Sequence, residues 1–360
     1  MHRLIWILPC GFALVIAFLS HQPRLPFGAS LPAPWDKVAH LTAYAVLAWS
    51  LDLALRRTRH DLPIYRRHLA VFLAVALFGL TDELHQAFIP GREPSGWDLV
   101  ADACGAVLGL AVGSRGALVG RRGLADASWW RGDRERPDAK RPLILVADAH
   151  WQEDLTGLRE ATRQHPEADW LFLGDLFDVW VGLPGMEREA QRAFLWWVDE
   201  RRQAGRWVGL WLGNREYFLD GHVARFSLMG EGVGGCLPSE LLAWEHGDLV
   251  NAADRRYRLW NLVSRSGFLW LVGRLLPKGT AQALANRLER VLRTTNLAYK
   301  VAFPEAAFRE AAADWGGRWT FVTGHFHTHH VQGRAVALPW AHEGAFWVWR
   351  EGRLEPLSSC

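Results

Sequence analysis

A helical membrane domain followed by a layered α/β domain is the fold class that the sequence predicts, and two observations predict it. Residues 1–118 hold four long apolar stretches, whereas the remainder alternates short apolar runs with amphipathic segments. Within that remainder, five apolar runs each stop at an Asp, Asn or His, the pattern of buried strands that deliver polar side chains to one rim. A chain of 360 residues is long enough for two domains. The formal charge of +3 is too small for a nucleic-acid partner. Cys10, Cys104, Cys236 and Cys360 are far apart and form no CxxC, which argues against a disulfide framework or a thiolate zinc site and fits a reducing compartment.

Leu4–Gln22 carries no formal charge and follows Arg3. A cleaved leader shares that pattern, but no small-x-small site follows, and three more apolar stretches do: Val38–Leu55, Leu69–Phe88 and Trp97–Gly113. Each is near the ~20 residues that cross a bilayer, although their ionisable residues leave open buried helices of a soluble domain. Arg56, Arg57, Arg59, Arg66 and Arg67 fill the second loop, and Arg115, Arg121 and Arg122 follow the fourth stretch. The positive-inside rule then puts both termini in the cytoplasm, turns near 23–36 and 89–98 outside, and the C-terminal half in the cytoplasm of a multi-pass inner-membrane protein. Asp36, Lys37, His40, Tyr44, Asp82, Glu83, Gln86, Arg92, Asp98 and Asp102 all gather near the outer face, as a network that pairs helices or as a binding site.

DKVAH with Tyr44, and TDELHQAFIPGREPSGWDLVADACGAVLG, give residues 30–112 a resemblance to the VanZ-like family of four-helix membrane domains. That family commonly has Asn where this chain has Asp102. The resemblance implies topology and membrane location, and no reaction. Residues 119–141, with Trp129, Trp130 and the charged run RGDRERPDAKRP, read as a linker. The two tryptophans suit either a membrane interface or packing on the soluble domain.

The second domain covers residues 142–358. Strand Leu143–Val146 precedes Asp148 and His150, LFLGD delivers Asp175, and VGLWLGN delivers Asn214 followed by Arg215 and Glu216. LLAWEHGD delivers His246, and FVTGHFH delivers His325 and His327. Taken singly, DxH reads as a capping Asp beside a surface His, and HxH as two loop histidines. All five in this order, each after a strand, point to chemistry. Seven N/O ligands exceed one ordinary transition-metal site and suit two ions about 3.5–4 Å apart that share a carboxylate. Asp175, alone on its strand, is the choice for the shared ligand. Imidazole and carboxylate without thiolate fit manganese, with iron or zinc as alternatives.

This order resembles the calcineurin-like metallophosphoesterases, whose motifs run DxH, GD, GN[HR][DE], HGD and GHxH, and the likeness spans residues 142–347. The subgroup most similar is the UDP-2,3-diacylglucosamine hydrolases, which have Arg at the position of Arg215 where most of the superfamily has His. LGDLFDVW is similar to the subgroup's second motif with Asp178 in place of Glu, and His342–Gly344 also fits. Departures are Glu216 for Asp, Leu183 and Pro184 for acidic residues, and GHFHTHH without the common threonine and proline. The resemblance implies a membrane-anchored dimetal hydrolase that cleaves the diphosphate of a lipid-linked UDP-sugar, UDP-2,3-diacylglucosamine, to UMP and 2,3-diacylglucosamine 1-phosphate in lipid A biosynthesis. It assigns catalytic roles to Asp175 and Arg215, and substrate contacts to Asn214, Arg215, Asp254, Tyr257, Thr294, Asn296 and Lys300. Two cations acidify a water for in-line attack on phosphorus, and the Arg215 fork neutralises phosphoryl charge.

An insertion at about 255–300 reads as a helical lid. Leu259, Trp260, Leu262, Val263, Phe268, Leu269, Trp270 and Leu271 sit among Arg256, Arg258, Arg265 and Arg274; Leu284, Leu288, Val291 and Leu292 sit beside Arg287, Arg290 and Arg293. Such helices lie on an anionic bilayer, enclose acyl chains, or simply pack on the sandwich. An anchored enzyme would meet a bilayer-resident substrate at raised effective concentration. Two rival functions stay open: the same chemistry on another nucleotide or lipid phosphoester, or a VanZ-like membrane unit in envelope or glycopeptide resistance with a regulatory soluble half.

Overall fold

The computed structural model describes residues 4–22, 35–90, 95–119, 128–251, 254–295, 303–341 and 346–357. It divides into two compact units, Met1–Val119 with Ser266–Phe268, and Gly120–Arg265 with Leu269–Cys360.

The first unit contains helices α1 (Ile7–Ser20), α2 (Trp35–Thr58), α3 (Ile64–Gln86) and α4 (Gly96–Val119). Trp35–Thr58, Ile64–Gln86 and Gly96–Gly113 are long and apolar enough to cross a membrane. Ahead of them a shorter apolar helical stretch covers Leu4–Ser20, with a 3-10 turn at Leu4–Trp6 leading into α1. Helices α2 and α4 touch backbone to backbone: a Cβ at Gly105 would lie 2.3 Å from the Leu41 carbonyl oxygen, and one at Gly109 would lie 2.1 Å from that of Ala45. Small residues four apart permit that approach. Toward one end of the bundle, buried Asp52 pairs with Arg67 at 2.8 Å and Arg56 at 3.1 Å.

The second unit is built on two sheets. In chain order the strands are β1 (Trp129–Gly132), β2 (Leu143–Val146), β3 (Asp169–Phe172), β4 (Trp180–Val181), β5 (Val208–Leu212), β6 (Glu216–Tyr217), β7 (Leu228–Glu231), β8 (Gly235–Leu237), β9 (Leu242–Glu245), β10 (Thr320–Thr323), β11 (His330–Gln332), β12 (Ala335–Ala337), β13 (Trp347–Arg350) and β14 (Arg353–Pro356). The larger sheet has the order β1-β7-β5-β3-β2-β13-β14 and the smaller β11-β12-β10-β9-β8, while β4 and β6 pair separately. Strands β2, β3, β5 and β7 run parallel, as do β9, β10 and β12.

Period-two alternation sorts the side chains of the parallel strands. Leu143, Leu145, Leu171 and Trp211 meet Leu242, Trp244 and Val322 of the smaller sheet in one buried cluster. Ile144, Val146, Trp170, Phe172 and Leu210 face the other way, against Leu158 of helix α5 (Thr156–Gln164) and Phe194 and Trp197 of α6 (Glu189–Gln203). The insertion holds α7 (Arg255–Ser264), α8 (Gly267–Leu275) and α9 (Lys278–Thr295), and α10 (Glu305–Ala313) follows it. Phe308 and Ala311 of α10 cover Phe321 and Ala337 on the smaller sheet. The layers are thus helix, sheet, sheet, helix.

Part of the stretch expected as a linker is sheet. Trp129–Gly132 pairs antiparallel with β7, and Trp129 is buried. Beyond it Arg136, also buried, binds Asp169 at 3.0 Å and Glu240 at 2.7 Å, one carboxylate from each sheet's neighbourhood. The charged composition that reads as a solvated linker therefore includes an internal ion-pair triad.

Candidate metal centre

The five apolar runs singled out from the sequence are β2, β3, β5, β9 and β10, all parallel strands, and each releases its polar residue just past its C-terminal end. Asp148 and His150 follow β2, Asp175 follows β3, Asn214 follows β5, His246 follows β9, and His325 and His327 follow β10. Ligand atoms of Asp148, His150 and His327 lie within 4.8 Å of one another, and so do those of Asp175, His246 and His325. The HxH pair thus divides between two groups. Asn214 belongs with the second, its Oδ1 3.0 Å from His246 Nε2 and 3.1 Å from His325 Nδ1.

The backbone is strained where these side chains leave it. Asp148 (φ 52°), His150 (46°), Asp175 (53°), His325 (68°) and His327 (54°) are all left-handed. Among the described residues only three other non-glycine positions share that conformation. Each such residue costs of order 1–3 kcal/mol and persists only when its surroundings over-determine it.

Glu216 supplies that determination at Asp175. Its buried carboxylate accepts N–H groups from Asp175 (2.9 Å), Leu176 (2.8 Å) and Gly213 (2.9 Å), tying the loop after β3 to the loop after β5. Asp175 returns the tie through Oδ1, which accepts the Arg215 N–H at 2.9 Å. The approach leaves no room for side chains at the flanking glycines. A Cβ on Gly213 would fall 2.5 Å from Asp175 Oδ1, and one on Gly324 would fall 2.6 Å from Asp148 Oδ2.

The donor set fits divalent cations. Nδ1 of His246 lies 2.7 Å from the Leu173 carbonyl and so carries the proton. That leaves Nε2 as a lone pair facing two further acceptors, Asn214 Oδ1 and Asp175 Oδ1, the latter at 3.5 Å. A bare arrangement of three acceptors requires a cation or an extra proton. In the other group the Nε2 atoms of His150 and His327 face each other at 3.3 Å, and buried Asp148 Oδ1 lies 3.3 Å from His327 Nε2 and accepts no hydrogen bond among the described residues. Burial opposes charge throughout, yet pairing prevails: His246 is raised to about 10 by Asp175, and Asp175 is held well below the usual carboxylate range by His246. Burial and then His246 lower His325 to about 4. Glu216 is pushed up to about 7 by burial and the Asp175 charge, against the N–H donors that favour its ionised form.

The expected substrate residues fare differently. Arg215 is buried, with Nη1 donating to the Asp178 carbonyl at 3.0 Å and Nε 3.9 Å from Asp175 Oδ2. Asp254 caps α7 by accepting the Tyr257 N–H at 2.9 Å, while Tyr257 donates its hydroxyl to Asp248 at 2.5 Å. Arg265, read as part of a surface-basic face, is instead buried: it donates to the Gly213 carbonyl at 2.6 Å and pairs with Glu231. Arg92, Asn296, Lys300 and His342–Gly344 lie outside the described residues, as does the side chain of Thr294. The insertion packs on the unit through Ala281 and Ala285 beside Val179, Val181, Leu183 and Met186. It also exposes Trp260, Leu275, Leu284 and Leu288.

Sequence reasoning passed over Trp340, whose ring stacks on His327 (centroids 5.1 Å) and meets His150 edge-on at 6.0 Å. No motif marks it. The buried position of Glu216 was open to inference from its place directly after GNR, where a carboxylate between two strand-end loops finds only backbone donors.

Fold and site together define a chain with an apolar helical domain ahead of a two-sheet α/β unit that clusters His, Asp and Asn at its strand ends. Residues 4–115 match the model of the VanZ/LLP1 family, so the N-terminal part is a VanZ/LLP1 domain. The C-terminal part is similar to the UDP-2,3-diacylglucosamine hydrolase of Ectopseudomonas mendocina (strain ymp), 27% identical over 155 residues that cover 41% of this chain and 64% of the relative. It is also similar to that of Stutzerimonas stutzeri (strain A1501), 28% identical over 163 residues, 42% of this chain and 67% of the relative. The chain therefore spans just under two thirds of the first relative's length.

Proposed function

We propose that this chain is a membrane-anchored, dimetal phosphoesterase that hydrolyses the diphosphate of UDP-2,3-diacylglucosamine to UMP and 2,3-diacylglucosamine 1-phosphate. The observation that carries the proposal is the pair of ligand groups gathered at the strand ends, with left-handed backbone at Asp148, His150, Asp175, His325 and His327. Asp148, His150 and His327 hold one ion, and Asp175, Asn214, His246 and His325 the other, with Asp175 assigned as the shared carboxylate. Such ions, when bound, polarise phosphoryl oxygens and acidify water at neutral pH. Manganese is the metal proposed, with iron or zinc as alternatives.

The chain's own residues supply the rest. Arg215, fixed by the Asp178 carbonyl and beside Asp175, is assigned to offset charge on the phosphoryl oxygens. Trp340 screens the His150–His327 pair on one side. The exposed apolar side chains of the insertion, with Arg287 and Arg290 on the same helix as Leu284 and Leu288, support contact with acyl chains or an anionic bilayer. The arginine-rich second loop supports a cytoplasmic catalytic half on the inner membrane. No nucleic-acid partner is proposed.

The test is UMP release from UDP-2,3-diacylglucosamine by the purified full-length protein with manganese, with chelator, and as Asp175→Asn. Manganese-dependent turnover that the substitution abolishes supports the proposal. Cleavage of a generic phosphodiester without cleavage of this substrate keeps the dimetal chemistry and removes the lipid assignment. Neither activity under any of the tested metals refutes both and leaves the membrane domain as the functional unit.

A further inference from the structure

The first unit contains a second cluster that the proposed phosphoesterase reaction does not use. At the opposite end of its bundle from Asp52, ligand atoms of His40 (α2), Glu83 (α3) and Asp98 (α4) lie within 4.8 Å of one another. Three helices thus contribute one nitrogen and two carboxylates to one point, as in metal sites built within helical bundles.

Hydrogen bonding around the cluster is incomplete in a specific way. Asp82 is satisfied, its Oδ2 accepting from Ser20 at 2.8 Å, Gln86 at 3.0 Å and Tyr44 at 3.4 Å. Glu83 is not. Its Oε2 accepts the Ser95 N–H at 2.8 Å, while Oε1, on a side chain only 7% exposed, has no partner among the described residues. Asp102, fully buried, accepts from His40 Nδ1 at 2.9 Å through Oδ1, while Oδ2 has no hydrogen-bond partner among the described residues. Four buried carboxylates, Asp82, Glu83, Asp98 and Asp102, gather here, and the His40 imidazole bonds Asp102. Lys37 pairs with Asp98 through Oδ1 and with half-buried Asp36 at 3.1 Å.

The Asp102–His40 bond is the informative one. A carboxylate on one imidazole nitrogen fixes the tautomer and turns the other nitrogen, unprotonated, toward a metal. Here Asp102 takes Nδ1, so the nitrogen left to bind a cation is Nε2. Isolated acidic clusters are common and carry no such meaning. This one has an oriented imidazole and a buried carboxylate oxygen without a partner, both consistent with a missing positive charge.

We propose that His40, Glu83 and Asp98 bind one divalent cation of the manganese, iron or zinc class, with Asp102 as the positioning residue behind His40. The site is distinct from the strand-end centre and does not depend on the reaction assigned there.

The test uses the full-length chain in detergent, with Asp148→Asn and His246→Gln together to silence the strand-end centre. Manganese chloride is titrated, and free Mn2+ is counted by its electron paramagnetic resonance signal. One ion bound per chain is the expected result. Adding Glu83→Gln or His40→Ala removes it; Asp102→Leu weakens it at least ~10-fold, and Asp102→Asn, which keeps an acceptor for Nδ1–H, restores it. No bound ion in the silenced chain overturns the proposal, as does an ion that survives both Glu83→Gln and His40→Ala. Should either of those variants fail to fold, the ion count of the silenced chain and the Asp102→Leu against Asp102→Asn comparison still decide.

Discussion

Glu216→Ala separates a carboxylate that organises the strand-end centre from one that merely fills space. The side chain accepts three backbone N–H groups at 2.8–2.9 Å, all buried. Alanine leaves those donors unpaired, and each unpaired buried group costs about 1–3 kcal/mol, so the loss is at least about 3 kcal/mol. The loss falls on the loop that holds Asp175 at φ 53°, a conformation with its own cost of order 1–3 kcal/mol. Once the tether is gone, relaxation to an unstrained backbone removes Asp175 from His246 and His325. Turnover of a chromogenic phosphodiester with saturating manganese should fall at least ~100-fold, which corresponds to roughly 2.7 kcal/mol of lost transition-state stabilisation. Glu216→Gln keeps one acceptor oxygen and should fall between wild type and alanine. Urea unfolding can be followed in the same samples by tryptophan fluorescence, since most of the 21 tryptophans lie beyond residue 128. A Glu216→Ala chain with turnover within threefold of wild type and an unchanged midpoint would refute this account.

Arg136→Met should destabilise the second unit by about 3–5 kcal/mol, because Asp169 and Glu240 remain buried without their cation; an unchanged urea midpoint contradicts it. Asp220, raised from 3.8 to about 7 by burial, gives a stability contribution that is full below about pH 4 and is lost as pH rises through 7. Its upper size is roughly 4 kcal/mol. Asp220→Asn should therefore match wild type near pH 4 and exceed it at pH 8, and identical pH profiles count against the assignment. Gly109→Leu, placed where a Cβ already falls 2.1 Å from the Ala45 oxygen, should force α2 and α4 apart at a cost of about 1–3 kcal/mol. Thermal melting in detergent reads that cost, and a melting temperature equal to wild type rejects close packing there.

The parallel strands at the centre of the second unit were legible because burial on both faces writes them as unbroken apolar runs, such as LILV at 143–146 and VGLWL at 208–212. The margins were not. Trp129–Gly132, half exposed, and Arg353–Pro356, mostly exposed, are edge strands, and an edge needs no long apolar run to pair. Arg136 shows the same limit from another side. A run of alternating charges reads as solvated until a fold supplies Asp169 and Glu240 as partners, and both lie far away in sequence.

At the strand ends, residue types and spacing were visible, but their partition was not. DxH and HxH look alike as motifs, yet Asp148 and His150 serve one group together while His325 and His327 separate. The dihedrals do not distinguish the two pairs, since Asp148, His150, His325 and His327 are all left-handed. Asp and His tolerate that region better than most residues, so their presence at these turns signals nothing until the dihedrals are known. Glycines at 174, 213, 247 and 324 then read differently from ordinary turn residues. Gly213 is excluded from carrying a side chain by the Asp175 carboxylate, and Gly324 by that of Asp148. The GN and GH of the motifs are therefore consequences of how closely five loops converge, and the convergence depends on Glu216, which binds backbone from two of them.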